Sequence, residues 1–201
     1  MIVTSNDDLA ERLRCLRAHG SKQRYFHEEL GVNSRLDEIQ AAVLLTKLRH
    51  LEDWTDKRRA IAGKYFEALK NVPGIILPNP AVKAEYKHVW HQYTIRVLET
   101  NFGTTGATMR QQVIDGLAKR GIGSMCYYPV PLHLQEAYTH YGYKGGDFPI
   151  TERLAGEVLS LPMFPELKDL EIGAIGQAIA EIMSEQVAVA PIAVPTPPVV
   201  L

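Results

Sequence analysis

Within the first fifty residues only Ile2-Val3 reads as a strand, and the two helical patterns that follow give it nothing to pair with. One strand cannot satisfy its own backbone hydrogen bonds or bury a face. This constrains the chain more than any other feature. The opening segment is expected to be the trailing edge of a larger domain whose sheet lies upstream, and the chain to be truncated relative to that domain.

The helices themselves are well signalled. Asn6 or Asp7 can cap the first by accepting its free N–H groups. Leu9, Leu13 and Leu16 then fall on one face, and Gly20 is the expected C-cap. A polar stretch from Ser21 to Gly31 carries Tyr25, Phe26 and His27. Ser34 and Asp37 stand in an S-x-x-D arrangement that starts a second helix, with Leu36, Ile39, Val43, Leu44, Leu48 and Leu51 as its apolar positions. Helical character continues through Ile61, Tyr65, Ala68 and Leu69, with a bend expected near Trp54, until Pro73-Gly74 ends it.

Beyond Tyr86 the pattern becomes mixed. Tyr93–Leu98 alternates as a strand, Met109, Val113 and Leu117 mark a helix, and Ile122–Tyr128 is a second strand candidate. Leu154, Val158 and Leu161 suggest a short helix closed by Pro162. Ile172, Ile175, Ile179 and Ile182 give the clearest amphipathic helix. Together they make a small α/β layer. Val187–Leu201 holds four prolines and no charge, which favours an extended, disordered tail. The expected organisation is residues 1–55, 56–186 and 187–201.

Lys+Arg at 22 against Asp+Glu at 23 gives no electrostatic reason to expect nucleic acid or an anionic membrane as partner. No apolar run approaches the ~20 residues of a membrane span. The N-terminus has no basic region ahead of an apolar stretch, so a cytoplasmic location is expected. Cys15 and Cys126 form neither a metal-ligand spacing nor a disulfide framework, and no H-x-x-x-H cluster points to a metal. Gly121-x-Gly123 and Gly145-Gly146 lack the pattern of a phosphate loop, and no G-x-S-x-G elbow appears.

Three stretches carry a family resemblance. The first is Met1-Ile2-Val3-Thr4-Ser5-Asn6-Asp7-Asp8-Leu9-Ala10, with Leu16-Arg17-Ala18-His19-Gly20 behind it. The second is Gly31-Val32-Asn33-Ser34-Arg35, followed by Ala41-Ala42 in a G-x-N-x-R-x-x-x-x-x-A-A pattern. The third is Tyr127-Tyr128-Pro129-Val130-Pro131-Leu132-His133, with Leu161-Pro162-Met163-Phe164 downstream. In order and spacing, over residues 1 to about 185, they resemble the DegT/DnrJ/EryC1/StrS family of sugar aminotransferases.

The resemblance implies an α/β fold, the C-terminal part of a fold-type-I pyridoxal-phosphate (PLP) aminotransferase: the end of the large domain plus the small α/β domain. It implies a homodimer that moves an amino group, usually from glutamate, to a keto group on a nucleotide-linked sugar, with PLP as electron sink. The family's Schiff-base lysine lies ahead of the segment matching Met1. None of the ten lysines here has its Ser-x-x-x-x-Lys setting, so no catalytic residue is assigned.

The asparagine matching Asn33 reaches the neighbouring subunit's PLP phosphate in the family, although Asn33 also suits a plain N-cap. Arg35 can pair with phosphate or hold a carboxylate at the dimer interface. Tyr25, Tyr128 and His133 match the substrate region, each with a structural role as the alternative. His27 lies in the same polar loop as Tyr25. The chain alone is expected to be inactive. The other reading is a non-catalytic fragment that pairs with an intact paralogue, or a gene remnant.

Overall fold

The computed structural model describes residues 2–23, 25–79, 86–98 and 106–188. It divides into two compact units, Met1–Leu51 and Glu52–Leu201.

In the first unit, Ile2 and Val3 are exposed coil rather than the expected strand, with no ladder partner among the described residues. Helix α1 spans Asp7–Leu16, and the Asn6 side chain accepts the Leu9 N–H at 2.9 Å as its cap. The unit holds a sheet that the polar composition of Ser21–Gly31 concealed. Strand β1 (Ser21–Gln23) pairs antiparallel with β2 (Phe26–His27), and Tyr25 sits in the turn at φ 74°. The C-cap of α1 is Arg17 rather than the expected Gly20, which lies three residues on, turns the chain toward β1 at φ 73° and donates its N–H to Cys15 O at 3.0 Å.

Helix α2 spans Glu38–Leu48, so the start signal at Ser34 lies too early. Its cap is Asp37, whose backbone N–H is taken by Gln40 Oε1 at 3.3 Å. Residues 32–34 are instead bonded to the end of α1. Val32 N–H reaches Leu16 O at 2.8 Å and Ser34 N–H reaches Arg17 O at 3.0 Å. Helix α3 follows at Leu51–Leu69, and the break falls at Arg49-His50 rather than near Trp54.

The second unit is built on an antiparallel three-stranded sheet in the order β3–β4–β5: Ile75–Ile76, Tyr93–Val97 and Val158–Leu161. Tyr93, Ile95 and Val97 alternate inward as the sequence period requires. They meet Ile61, Tyr65 and Leu69 of α3, Met109, Val113 and Leu117 of α4 (Gly106–Lys119), and Ile172, Ile175 and Ile179 of α6 (Asp169–Ala188) in one core. Helix α4 packs so closely on α6 that a Cβ at Gly116 would lie 2.7 Å from Ile182 Cδ1.

Two expectations fail here. Helix α5 runs Pro149–Glu157, but Val158 and Leu161 belong to β5, whose backbone completes the ladder of β4. Ile122–Tyr128 forms no strand; only Met125 pairs, in an isolated bridge with Ser160. The proline-rich tail from residue 189 onward lies outside the described residues, while Val187 and Ala188 complete α6.

Candidate functional site

In the first unit the motif around Asn33 is strapped across the end of α1. Asn33 forms an antiparallel bridge with Ala18, and the His19 N–H donates to Val32 O at 3.1 Å. Arg17 Nε donates to Ser34 O at 3.1 Å, tying a guanidinium into the same crossing. Arg14, Arg17 and Arg35 line an open depression of about 430 Å³ with Ala18, Leu36, Asp37 and Glu38. Three guanidiniums against two carboxylates leave it net positive, a setting for a bidentate anion.

Asn33 does not line that depression, and it is not a helix cap. Asp37 fills that role, so the plain N-cap alternative is set aside. Its exposed amide stands at the bridge, two residues before Arg35. Tyr25 is 78% exposed at the hairpin turn, and His27 Nδ1 lies 2.9 Å from His19 O.

The second unit carries Tyr128 and His133. Tyr128 is exposed and stands edge-on to Tyr127, ring centres 5.8 Å apart. His133 lies in a 3₁₀ turn, Leu132–Leu134, with only 8% of its side chain exposed. Its Nε2 is 3.0 Å from Glu152 Oε1, and its ring packs 4.7 Å from that of Phe148.

Glu152 was missed from sequence. Its signal was a carboxylate in the first turn of a helix opened by Phe148-Pro149, where it can reach back to free N–H groups. It accepts the Gly146 N–H on both oxygens at 2.9 Å and the Phe148 N–H at 3.2 Å. The Gly146 N–H above all, with Phe148 and His133 behind it, holds this carboxyl below the usual carboxylate range.

A second open depression, of about 540 Å³, is lined by residues including His91, Gln92, Ser124, Met125, Tyr127 and Met163. It brings the third motif's Tyr127 beside Leu161-Pro162-Met163-Phe164. Among the described residues no group of three His, Cys, Asp or Glu side chains is placed to hold a metal, and no helix is long and apolar enough to cross a membrane.

Four lysines hold carboxylates: Lys22 with Glu11 and Glu28, Lys57 with Asp53, Lys64 with Asp169, and Lys70 with Glu67. Glu11 raises the Lys22 ammonium above its ordinary value, and Asp53 does the same for Lys57. A lysine that serves as a nucleophile needs the opposite shift.

The model of the DegT/DnrJ/EryC1/StrS aminotransferase family matches residues 1–180. Curated relatives include the dTDP-3-amino-3,4,6-trideoxy-alpha-D-glucose transaminase of Streptomyces venezuelae, 41% identical over 180 residues, 90% of this chain and 44% of the relative. The pleiotropic regulatory protein of Geobacillus stearothermophilus is 45% identical over 181 residues, 90% of this chain and 46% of its own length. Among solved structures, S. venezuelae DesV in complex with a ketimine intermediate superimposes with a TM-score of 0.77 at 41% identity, covering 90% of this chain and 46% of that one. A Brucella abortus aminotransferase does so with a TM-score of 0.72 at 39% identity, covering 90% and 45%. The chain spans about half the length of the curated relatives it matches. With a family match over 180 of its 201 residues, the chain belongs to the DegT/DnrJ/EryC1/StrS aminotransferase family.

Proposed function

We propose that this chain forms part of the active site of a PLP-dependent aminotransferase that transfers an amino group, with glutamate as donor, to the keto carbon of a nucleotide-linked sugar. The observation that carries the reading is the strap of Val32–Ser34 over α1. It holds Asn33 in a bridge with Ala18, two residues ahead of Arg35, which lines a net-positive depression with Arg14 and Arg17, a donor set suited to a phosphate monoester. The 41% identity to a dTDP-sugar transaminase supports the substrate class.

Asn33 and Arg35 would hold the cofactor phosphate, while Tyr25, Tyr128 and His133 would serve the sugar side. The cofactor, when bound, supplies the electron sink. The chain's own contribution is orientation: backbone hydrogen bonds of Val32 and Ser34 hold the segment that carries Asn33, and Glu152 holds His133. Asn33 and Arg35 are residue types that suit the phosphate end of the cofactor, while no lysine here stands in the setting that the family resemblance implies for its carbonyl end. On this reading the Schiff-base lysine is supplied by residues other than these 201, and these residues by themselves do not turn over substrate. A second copy cannot supply a residue that this sequence lacks, so activity calls for a longer chain or an intact paralogue as partner.

A second reading, a non-catalytic partner of an intact paralogue, draws on α2, whose Ile39, Val43, Leu44 and Leu48 are exposed. Incubation with PLP, borohydride reduction and peptide mapping tests the main reading. The expected result is no stoichiometric adduct on the isolated chain, with transamination of a dTDP-keto sugar appearing on addition of an intact paralogue. A stoichiometric adduct on one lysine of the isolated chain would overturn it.

A further inference from the structure

Glu152 gathers four hydrogen-bonding contacts in a region where His133 is almost wholly enclosed. Oε1 faces the N–H groups of Gly146 and Phe148 and also His133 Nε2, at 2.9, 3.2 and 3.0 Å, while Oε2 accepts Gly146 at 2.9 Å. Gly146 reaches both oxygens from a backbone at φ +96°, a conformation that side chains rarely adopt. The Phe148 ring, 4.7 Å from the imidazole, limits its rotation.

An ionised carboxylate only accepts hydrogen bonds. The proton on the line between Oε1 and Nε2 therefore belongs to the histidine. A neutral imidazole protonated at Nε2 has its lone pair at Nδ1.

We propose that Glu152 is a positioning residue that fixes His133 as its Nε2–H tautomer, presenting Nδ1 as a hydrogen-bond acceptor for a hydroxyl of the sugar. The tautomer follows from the contacts of Glu152; the hydroxyl contact rests on the proposed function. The arrangement makes His133 an orienting acceptor toward substrate, with its donor side spent inside the protein.

The test is long-range ¹H–¹⁵N correlation at pH 8 on the full chain labelled with ¹³C and ¹⁵N, with the His133 ring assigned through its own backbone resonances. The expected spectrum shows Nε2 protonated and Nδ1 bare, and Glu152→Gln shifts the pair toward a tautomeric mixture. A wild-type His133 protonated at Nδ1 overturns the proposal, and that spectrum decides even if the variants do not fold. A tautomer unmoved in folded Glu152→Gln also overturns it.

Substrate contact is read separately, in the chain complemented by an intact paralogue. His133→Asn places its amide near the Nδ1 position and His133→Gln near Nε2. KM for the nucleotide sugar is expected to rise about tenfold more in His133→Gln, roughly the loss of one hydrogen bond. Equal KM values alongside the expected tautomer overturn the hydroxyl contact while Glu152 keeps its role. Absence of turnover in the complemented wild type would instead overturn the proposed function, leaving the tautomer result intact.

Discussion

Gly20 and Gly31 meet backbone to backbone. A Cβ on Gly31 would lie 2.1 Å from the Gly20 nitrogen and 2.6 Å from Leu16 O, and one on Gly20 would lie 1.7 Å from Glu29 O. The clash is with main chain on both sides, so no rotamer change relieves it. This crossing lets Val32–Ser34 bond to the end of α1, and it is the reason Asn33 and Arg35 emerge where they do.

Gly31→Ala is therefore expected to open the crossing at a cost on the order of 2–3 kcal/mol, at the upper end of ordinary point substitutions. Hydrogen exchange at the His19 and Val32 amides, which donate across the crossing, reads it directly. Faster exchange at both is expected, with the second unit's core amides unchanged. Wild-type protection in Gly31→Ala would show that the backbones are not in contact.

What the sequence revealed and what it hid follow from the range of each signal. Tyr93–Val97 and the Ile172–Ile182 face were legible because burial on one side imposes a local period. Val158-Leu159-Ser160-Leu161 was not, because Leu154, Val158 and Leu161 also fit a helical spacing. Pairing with β4, some 65 residues earlier, decides the matter, and no local pattern carries it. The hairpin at Ser21–His27 is polar and exposed, so it has no apolar alternation to read. In the candidate site, Asn33, Arg35 and His133 were singled out by resemblance. Glu152 was passed over because its partners are backbone N–H groups, which sequence does not display.

Arg35→Ala should weaken PLP binding in the paralogue-complemented protein about tenfold, the scale of one charge-assisted hydrogen bond. Arg35→Lys should recover part of it, since an ammonium supplies charge without the planar fork. Absorbance titration with PLP gives both constants. An unchanged affinity in Arg35→Ala would move the phosphate contact elsewhere.

Tyr65 and Tyr93 stack in the core, ring centres 5.0 Å apart. Burial pushes the Tyr93 phenol up to about 12 from an ordinary 10.0, and burial, then Tyr93 and Glu171, raise Tyr65 further. Folded protein thus holds protons that unfolded chains release above pH 10.0, so stability must fall as pH rises from there through about 12. Tyr93→Phe should flatten part of that decline in denaturation midpoints measured across this window. The same slope in the variant would mean that Tyr93 does not ionise on unfolding.

Thr94 and Arg96 point to the face of β4 opposite the core, and Arg96 there meets Glu157 at the end of α5. Arg96 Nε and Nη2 stand 2.7 and 2.6 Å from Glu157 Oε2, and the Glu157 side chain is only 12% exposed. Arg153 Nε, at 3.9 Å from the other oxygen and itself largely exposed, is a weak substitute. Removing one partner of an enclosed pair leaves the other charge short of solvation, and that deficit outweighs the modest net worth of the pair itself. Arg96→Met is expected to cost about 3 kcal/mol, while adding Glu157→Met should restore most of it by removing the stranded carboxylate. Urea denaturation of the two single variants and the double variant completes the cycle. A double variant no more stable than Arg96→Met would locate the loss in strand packing rather than in charge, and the join between α5 and β5 would then owe its stability to the β4–β5 ladder alone.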